Sequence, residues 1–277
     1  MSVGRLVVCP TPIGNLEDVT LRVLRALREA DVVACEDTRR TKVLLDRYEI
    51  ATPRVRCDEH AERRATPALV ARMLAGETVA LVSDAGTPLV SDPGAALVRA
   101  AIDAGIAVEA LPGPSAALVA LVASGLASDS WRFVGFLPRR GGELEAVLRD
   151  PGALVAFDSP RRVAGTLAVL ARLDPERPTA LCRELTKLHE EIVRGSAAEL
   201  AERFAGTEPR GEVALVIGAA QAPAGDARTG PDAASVEAVR RLVASGARPR
   251  EAARVVAGLT GAAANALYRA ALDEGAS

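Results

Sequence analysis

Short apolar runs alternate along the first half of the chain with segments of helical periodicity. Five of these runs are predicted to be strands: Arg5–Cys9, Asp31–Glu36, Arg54–Asp58, Thr78–Asp84 and Ala107–Gly113. Their nearly continuous apolar content is typical of strands that are buried on both faces. Between them, Val19–Ala30 has leucines on one face and arginines on another, and Gly94–Gly105 ends on a glycine typical of a helix C-terminus. The alternation predicts an α/β domain with a parallel, doubly wound sheet.

A second region begins near Trp131, where the pattern changes. Further strands are predicted at Phe133–Pro138, Gly152–Pro160, Thr179–Leu185, Glu190–Gly195 and Glu212–Gly218. A helix follows the second of these strands, because Val163, Leu167 and Leu170 stand at helical spacing. Only a short gap separates the third strand from the fourth, which favours an antiparallel pair. We therefore expect a second α/β domain with a mixed sheet.

The C-terminal segment follows a stretch of linker composition. Residues 221–234 are dominated by Pro, Gly, Asp and Ala and have no periodicity. Residues 235–272 have a helical pattern that predicts three short helices, with breaks at Gly246–Pro249 and Gly258–Gly261. The length of 277 residues suits two α/β domains and a small appendage. The predicted organisation is a first domain at residues 1–128, a second at 129–220, a linker at 221–234 and a helical appendage at 235–277.

Charge and composition limit how this protein could bind nucleic acid. The formal net charge is −2 and aromatic residues make up 3% of the chain, so neither a global basic field nor extensive base stacking is available for binding nucleic acid. The appendage at 235–277 has six Arg against four acidic residues, a difference of +2. This excess permits an RNA-binding module, and it is also typical of a solvated helical cap.

The cysteines lie in or beside predicted strands, and none forms a C-x-x-C pair; they are Cys9, Cys35, Cys57 and Cys182. This pattern favours small buried apolar side chains over a zinc site, so no metal is expected. The N-terminus has no signal-peptide pattern, and no apolar run approaches the roughly 20 residues of a membrane span. These features predict a soluble cytoplasmic protein that binds no membrane.

Polar and turn-forming residues follow every strand of the first predicted sheet. The five loops are Pro10–Asp18, Glu36–Lys42, Cys57–Arg64, Ser83–Gly94 and Leu111–Ala116. Ordinary turn chemistry explains any one such loop. Because the carboxyl ends of parallel strands share one edge of a sheet, five of them together favour a ligand site there. Neither G-x-G-x-x-G after the first strand nor a P-loop motif is present, which disfavours a dinucleotide or a P-loop nucleotide.

Seven motifs in order between Arg5 and Gly218 carry a specific resemblance. They are CPTPIGNLEDVTLRVL, ACEDTRRTKVLL, ALVSDAGTPLVSDPG, ALPGPSAAL, FVGFLP, CRELTKLHEEIVRG and GEVALVIG. Together they resemble the ribosomal RNA small subunit methyltransferase I family of the tetrapyrrole-methylase superfamily. The resemblance implies methylation by S-adenosyl-L-methionine of the ribose 2′-hydroxyl of a cytidine in the decoding region of 16S rRNA, expected to be cytidine 1402. It also implies a cofactor cleft between two α/β domains, a homodimer and the small ribosomal subunit as partner; no DNA partner is expected.

The resemblance places the cofactor against loops of both predicted domains. In this interpretation Asp84 receives the amino group or a ribose hydroxyl of the cofactor, and the backbone at Gly86 and Thr87 comes close to it. The full set of implied cofactor-binding residues is Pro12, Gly14, Asp84, Gly86, Thr87, Pro112, Ser115, Ala116, Phe157, Leu185 and Val213.

Methyl transfer to a hydroxyl requires alignment of the two reactants and removal of a proton. Glu36, Asp37 and His60 are the candidate bases or orienting groups, and Arg39 is a candidate for holding a phosphate or a carboxylate. Lys187 is a further candidate, together with Glu184. The alternative for this pair is a salt-bridge cluster between the domains.

Some positions depart from the family's pattern. Ala61 stands where the family commonly has Asn, and Phe157–Arg162 reads Phe-Asp-Ser-Pro-Arg-Arg where Tyr-Glu-Ser-Pro-His-Arg is common. Two alternative functions are a tetrapyrrole C-methyltransferase with the same fold and a non-catalytic RNA-binding assembly factor. The helical appendage and the CEDTR sequence count against the first, and intact cofactor motifs count against the second.

Overall fold

A computed structural model describes residues 3–58, 60–220, 232–260 and 262–272. The chain divides into two compact units, residues 1–220 and residues 221–277, and each is described by itself. Most of the predicted linker, residues 221–231, lies outside the described residues. Within the described ranges, no helix combines the length and apolarity that crossing a membrane requires.

The first sheet has five strands in the order β3-β2-β4-β1-β5, and every neighbouring pair is parallel. The strands are β1 Arg5–Val8, β2 Val32–Cys35, β3 Arg54–Arg56, β4 Thr78–Val82 and β5 Ala107–Ala110. The helices that follow them are α1 Leu21–Glu29, α2 Thr38–Arg47, α3 Glu62–Leu74, α4 Ala95–Asp103 and α5 Ala116–Ser124. The predicted parallel sheet is confirmed.

Side-chain alternation along the strands explains why this sheet is covered on both faces. Val7 packs into a cluster with Leu27 of α1, whereas its neighbour Leu6 packs into a second cluster with Leu69 of α3 and Leu97 of α4. Successive strand side chains point to opposite faces, so an apolar run needs helices on both sides. The doubly wound arrangement follows.

The second sheet has the order β6-β7-β10-β8-β9, with β6 and β7 parallel and the other neighbours antiparallel. Its strands are β6 Trp131–Phe136, β7 Ala153–Asp158, β8 Pro178–Arg183, β9 Glu191–Ser196 and β10 Val213–Ile217. Its helices are α6 Gly141–Leu148, α7 Val163–Leu173 and α8 Ala197–Arg203. Both the mixed sheet and the antiparallel β8–β9 pair are confirmed.

Helix α5 joins the two sheets within the first unit. Its buried residues Ala120 and Leu121 lie in one apolar cluster with Val155 and Val216 of the second sheet and with Ile13 of the loop after β1. The helix therefore follows the first sheet in the chain and packs on the second. This shared cluster fixes the first sheet's carboxyl edge against the second sheet.

The second unit has three described helices: α9 Ala233–Ala244, α10 Pro249–Thr260 and α11 Ala264–Leu272. Val239, Val256 and Leu267 form part of their common core. Asp232 caps α9 by accepting a hydrogen bond from the backbone N–H of Ser235, so helical structure begins at Ala233, before the predicted linker ends. Helix α10 also continues past Gly258, because a single exposed glycine weakens a helix without ending it.

Candidate active site between the two sheets

The loops after β1 and β4 are joined at the carboxyl edge of the first sheet. Thr11 and Gly86 exchange two backbone hydrogen bonds, with N···O distances of 2.8 and 2.9 Å. The Thr11 hydroxyl also donates to the carbonyl oxygen of Ser83 at 3.0 Å. Gly86 has a φ of +82°, a left-handed conformation that glycine adopts without strain. The hydrogen-bonded residues Thr11 and Ser83–Gly86, together with the adjoining Thr87, thus form a fixed surface, which we call the platform.

A cavity of about 380 Å³ lies above this platform and is lined by both sheets. Seven of the eleven implied cofactor residues line it: Gly86, Thr87, Ser115, Ala116, Phe157, Leu185 and Val213. The volume is that of a small-molecule pocket, and its largely apolar wall with a few polar groups is typical of such sites. Phe157 is held edge-on by Phe133 and Phe136, with ring centroids 5.1 and 5.5 Å away.

A second cavity, of about 360 Å³, adjoins the first and shares Ile13, Ala85 and Glu212 with it. The remaining implied cofactor residues, apart from one, line this second cavity: Pro12, Gly14 and Asp84. Pro112 lines neither of the two cavities. Lys187 is the one predicted catalytic residue found in the second cavity, where Arg40 is a further cation.

Asp84 ties the loop after β2 to the loop after β4. Its Oδ1 accepts a hydrogen bond from the backbone N–H of Asp37 at 2.9 Å, and its Oδ2 lies 3.5 Å from Nε of Arg40. Both carboxylate oxygens are therefore engaged within the protein. The pKa of the neighbouring Glu36 is raised by burial and by the negative charge of Asp84.

Asp37 is the N-cap of α2. Its Oδ1 accepts the backbone N–H of Arg39 at 2.8 Å, and its Oδ2 accepts from the guanidinium of the same residue at 2.8 Å. These hydrogen bonds hold the pKa of Asp37 well below its ordinary value. A carboxylate with a lowered pKa is a weak base, so the geometry favours capping over proton transfer for Asp37. The side chain of Arg39 is 90% exposed and faces solvent.

His60 is not brought to either cavity. His60 is exposed and lies just before the start of α3. In the same loop, Asp58 accepts the backbone N–H of Ala61 at 2.7 Å and pairs with Arg56. Ala61 itself provides no side-chain cap, and Asp58 supplies that contact from three residues earlier. The role of His60 as a base or orienting group stays a prediction.

Lys187 lies in a salt-bridge cluster of the second sheet. Its Nζ is 2.8 Å from Oε1 of Glu184 and 3.0 Å from Oε2 of Glu212. Burial works against its charge, but the two carboxylates outweigh burial and raise the pKa of Lys187. The residue therefore stays a cation. Near Lys187 the loop after β1 contacts the second sheet's loop directly: an added Cβ at Gly14 would lie 2.5 Å from Cγ of Lys187, and the backbone N–H of Asn15 donates to the Thr186 hydroxyl at 3.1 Å.

Asp158, one of the positions at which the sequence departs from the expected pattern, has a fully buried side chain. Its Oδ2 accepts from the hydroxyl of Thr166 at 2.6 Å, and its Oδ1 accepts the backbone N–H of Ser159 at 2.8 Å. Asp158 thus anchors the end of β7 beneath the first cavity. Arg161, a second such position, is exposed and pairs with Glu208 at 3.3 Å.

Asp92 is a lining residue of the first cavity that the sequence prediction missed. Burial raises its pKa to about 6; a contact with the Ser83 hydroxyl opposes this rise, and the charges of Glu36 and Asp84 add to it. The available signal was the second Ser-Asp-x-Gly sequence, Ser91–Gly94, which repeats the pattern at Ser83–Gly86.

In the described ranges, no group of three His, Cys, Asp or Glu side chains is placed to hold a metal ion. The four cysteines are free thiols and all are buried, as the sequence predicts. Burial raises the pKa of Cys182, which lines the first cavity, to about 11. This thiol is therefore protonated and unreactive near neutral pH.

Comparison with known proteins identifies the class of fold. The family model described as Tetrapyrrole (Corrin/Porphyrin) Methylases matches residues 5–201. Uroporphyrin-III C-methyl transferase from Thermus thermophilus, solved in complex with S-adenosyl homocysteine, is 25% identical with a TM-score of 0.56, covering 78% of this chain and 97% of its own. A cobalt precorrin-4 methyltransferase is 17% identical with a TM-score of 0.58, covering 77% and 94%. The two-sheet fold with its cleft is that of a tetrapyrrole methylase.

Sequence relatives narrow this class. Proteins named Ribosomal RNA small subunit methyltransferase I are 46% identical in Mesorhizobium japonicum, over 97% of this chain and 91% of the relative, and 42% identical in Pseudomonas aeruginosa, over 99% and 98%. A model described as RsmI C-terminal HTH domain matches residues 230–275. The chain belongs to the ribosomal RNA small subunit methyltransferase I family, and it is a methyltransferase.

Proposed function

We propose that this protein transfers a methyl group from S-adenosyl-L-methionine to the ribose 2′-hydroxyl of a cytidine in the decoding region of 16S rRNA, cytidine 1402. Its main support is the convergence of seven implied cofactor residues, from loops of both sheets, on one cavity. The relatives' printed name supplies the substrate class. We also propose a cytoplasmic location, which suits this substrate.

The residues of the first cavity fit a nucleoside carrying an amino acid. Phe157, Leu185 and Val213 offer apolar surface for the adenosine, and the platform at Gly86 and Thr87 offers backbone groups. When bound, S-adenosyl-L-methionine supplies an electrophilic methyl group on a sulfonium. The protein's part is to orient the ribose hydroxyl, to exclude water and to accept its proton.

Cations at the rim of the second cavity suit an RNA substrate. Arg40 lines this cavity and is 63% exposed, and Lys187, in the loop between β8 and β9, lines it as well. Arg39, on the same helix as Arg40, projects into solvent. These three residues are positioned for phosphates that flank the target nucleotide. The helix-turn-helix match over residues 230–275 supports a further RNA contact by the second unit.

A homodimer is part of the proposal. Helix α5 is apolar on both sides: Ala117 and Ala120 are buried against the second sheet, whereas Leu118 is 50% and Val122 76% exposed. A helix that is hydrophobic all round is normally buried on all sides. A second copy of the chain would cover this face. Sedimentation of wild type and of Val122→Asp tests it: wild type should behave as a dimer and the variant as a monomer.

Calorimetric titration with S-adenosyl-L-methionine tests the cavity. Phe157→Ala should weaken binding by about tenfold or more, because a buried aromatic side chain contributes roughly 1.5–3 kcal/mol. Phe204→Ala is the matched control, since Phe204 is buried in the cluster on the opposite face of the same sheet. Equal affinities for wild type and Phe157→Ala would contradict the cavity assignment.

Labelled methyl transfer to small subunits, with a uroporphyrinogen as competing acceptor, then distinguishes RNA from tetrapyrrole substrates.

A further inference from the structure

We propose that Asp92 is the catalytic base that takes the proton from the ribose 2′-hydroxyl, an inference that rests on the proposed function. The first reason is elimination among the acid–base groups of the first cavity. Besides Asp92, the titratable lining residues are Asp158, Cys182 and Glu212. Each of these three residues has a feature that makes it a poor base.

The three competing groups are already engaged or in an unsuitable protonation state. Asp158 is fully buried and accepts hydrogen bonds from Thr166 and from the backbone of Ser159. Glu212 is bound to the ammonium of Lys187. Cys182 is a buried thiol. Asp92, by contrast, has no cationic partner in the described part of the chain, and the Ser83 hydroxyl is the one group whose contact favours its charged form.

The backbone around Asp92 is held in an unusual conformation. Leu89 and Ser91 have φ values of +71° and +69°, and a left-handed conformation is an outlier for a bulky residue such as leucine. Such strained residues cluster at active sites and persist only where the surroundings enforce them. The strained backbone of Leu89 and Ser91 therefore holds Asp92 at the cavity, and the rest of the fold compensates the energetic cost of that strain.

Contacts on either side of the loop enforce this placement. At its end, Oε1 of the buried Glu62 accepts the backbone N–H groups of Ala96 and Leu97, at 2.7 and 3.1 Å, and so caps α4. Across the cleft, an added Cβ at Gly135 would lie 3.2 Å from Oγ of Ser91. The residue before Asp92 thus lies against the second sheet, and Asp92 itself lies where the two sheets face each other.

The charged neighbours of Asp92 suit a base that works near neutral pH. Glu36 and Asp84 face it from the loops after β2 and β4, and their negative charges together with burial favour its protonated form. Arg40 is paired with Asp84, at 3.5 Å, and no cation lowers the pKa of Asp92. A base is most effective when its pKa lies near the working pH. Asp92 meets this condition better than Asp37, whose pKa is lowered by Arg39.

The step balances without a further reactant. The ribose oxygen forms a bond to the methyl carbon, and the sulfur keeps the electron pair of the broken sulfur–carbon bond. The hydroxyl proton passes to the carboxylate of Asp92. The products are the 2′-O-methyl ribose, S-adenosyl homocysteine and protonated Asp92, which returns its proton to solvent.

The test measures single-turnover methylation of small subunits against pH, together with S-adenosyl-L-methionine affinity. Wild type should lose activity as pH falls through about 6. Asp92→Asn should lower the methylation rate by roughly 10²–10⁴-fold, with cofactor affinity changed by less than about threefold. Asp92→Glu should restore part of the rate and shift the acidic limb. Asp103→Asn, an exposed position on α4, is the control and should match wild type.

Each contrary result has a distinct meaning. If wild type transfers no methyl group to small subunits, the proposed function fails. If wild type is active but has no acidic limb near pH 6, or if folded Asp92→Asn keeps its rate, Asp92 is not the base. Loss of cofactor affinity in parallel with rate would also overturn the assignment, because it would make Asp92 a cofactor-binding residue. Even if Asp92→Asn does not fold, a wild-type profile without an acidic limb near pH 6 overturns the assignment, and a shift of the limb in Asp92→Glu supports it.

Discussion

Thr11 and Gly86 are paired through two backbone hydrogen bonds that join the loops after β1 and β4 across the carboxyl edge of the first sheet. Because of this pairing, the site is built from the ends of two strands, and neither loop forms it alone. It also gives a physical reason for glycine at position 86, where the backbone has a φ of +82° and lines the first cavity.

Gly86→Val should therefore weaken S-adenosyl-L-methionine binding by about tenfold or more, because a β-branched residue resists this φ and displaces the platform. An added Cβ would also stand 3.4 Å from Ile13, another lining residue. Gly105→Val is the matched control. Gly105 has a φ of +71° and open space around it, at the end of α4.

Both variants should lose thermal stability to a similar extent, and only Gly86→Val should lose affinity. Calorimetric titration and thermal unfolding measure the two quantities. If the two variants bind the cofactor equally well, the platform does not contact it.

The loop after β2 allows a separation of structural and chemical roles. Asp37→Ala removes the N-cap of α2 and should lower the melting temperature by roughly 2–4 °C, whereas Asp37→Asn keeps a capping oxygen and should not. Arg39→Ala should weaken binding to small subunits without affecting the cofactor, because the guanidinium is 90% exposed and can contact a phosphate while it remains paired with Asp37. Arg25→Ala on α1 serves as the charge control. A melting temperature for Asp37→Ala equal to that of wild type would contradict the capping role.

The raised pKa of Asp92 should also make the stability of the folded protein depend on pH. Its pKa of about 6 in the folded protein lies above the ordinary 3.8, so the folded state binds the proton more tightly than the unfolded state. Stability therefore falls as pH rises from about 4 to 6, and the loss persists at higher pH. Asp92→Asn should melt above wild type at pH 8, and this difference should shrink to nothing below about pH 4. A difference that is the same at both pH values would show that burial does not perturb Asp92.

The second unit should contribute salt-dependent affinity for RNA. Its arginines on α9, α10 and α11 include Arg250, which stacks over Tyr268 at 5.6 Å. Deleting residues 221–277 should leave cofactor binding intact and weaken binding to small subunits. The lost affinity should shrink as salt rises, because phosphate contacts release counterions. Identical affinities and salt slopes for the full-length and truncated proteins would assign these helices to another role.

Periodicity alone predicts most of the fold, since each sheet face and helix face must be apolar where it is buried. The first cavity also follows from the sequence, because loops after parallel strands share one edge and Gly86, Thr87 and Ser115 stand in those loops. Protonation behaviour does not follow. Asp92 is unusual because strand order brings the loops after β2 and β4 together, whereas Asp37 is tied to a side chain two residues away. The surroundings of Asp92 depend on strand order and cannot be deduced from a local pattern, whereas the contact between Asp37 and Arg39 is local.

Mapping of ribose methylation on 16S rRNA, after incubation of unmodified small subunits with the protein and S-adenosyl-L-methionine, tests the central claim most directly. The expected result is a new 2′-O-methyl group on one cytidine of the decoding region. It should be absent when the protein is omitted and strongly reduced with Gly86→Val. Methylation of a base, methylation of a ribose elsewhere in 16S rRNA, or no transfer to RNA by protein that binds the cofactor would contradict the account.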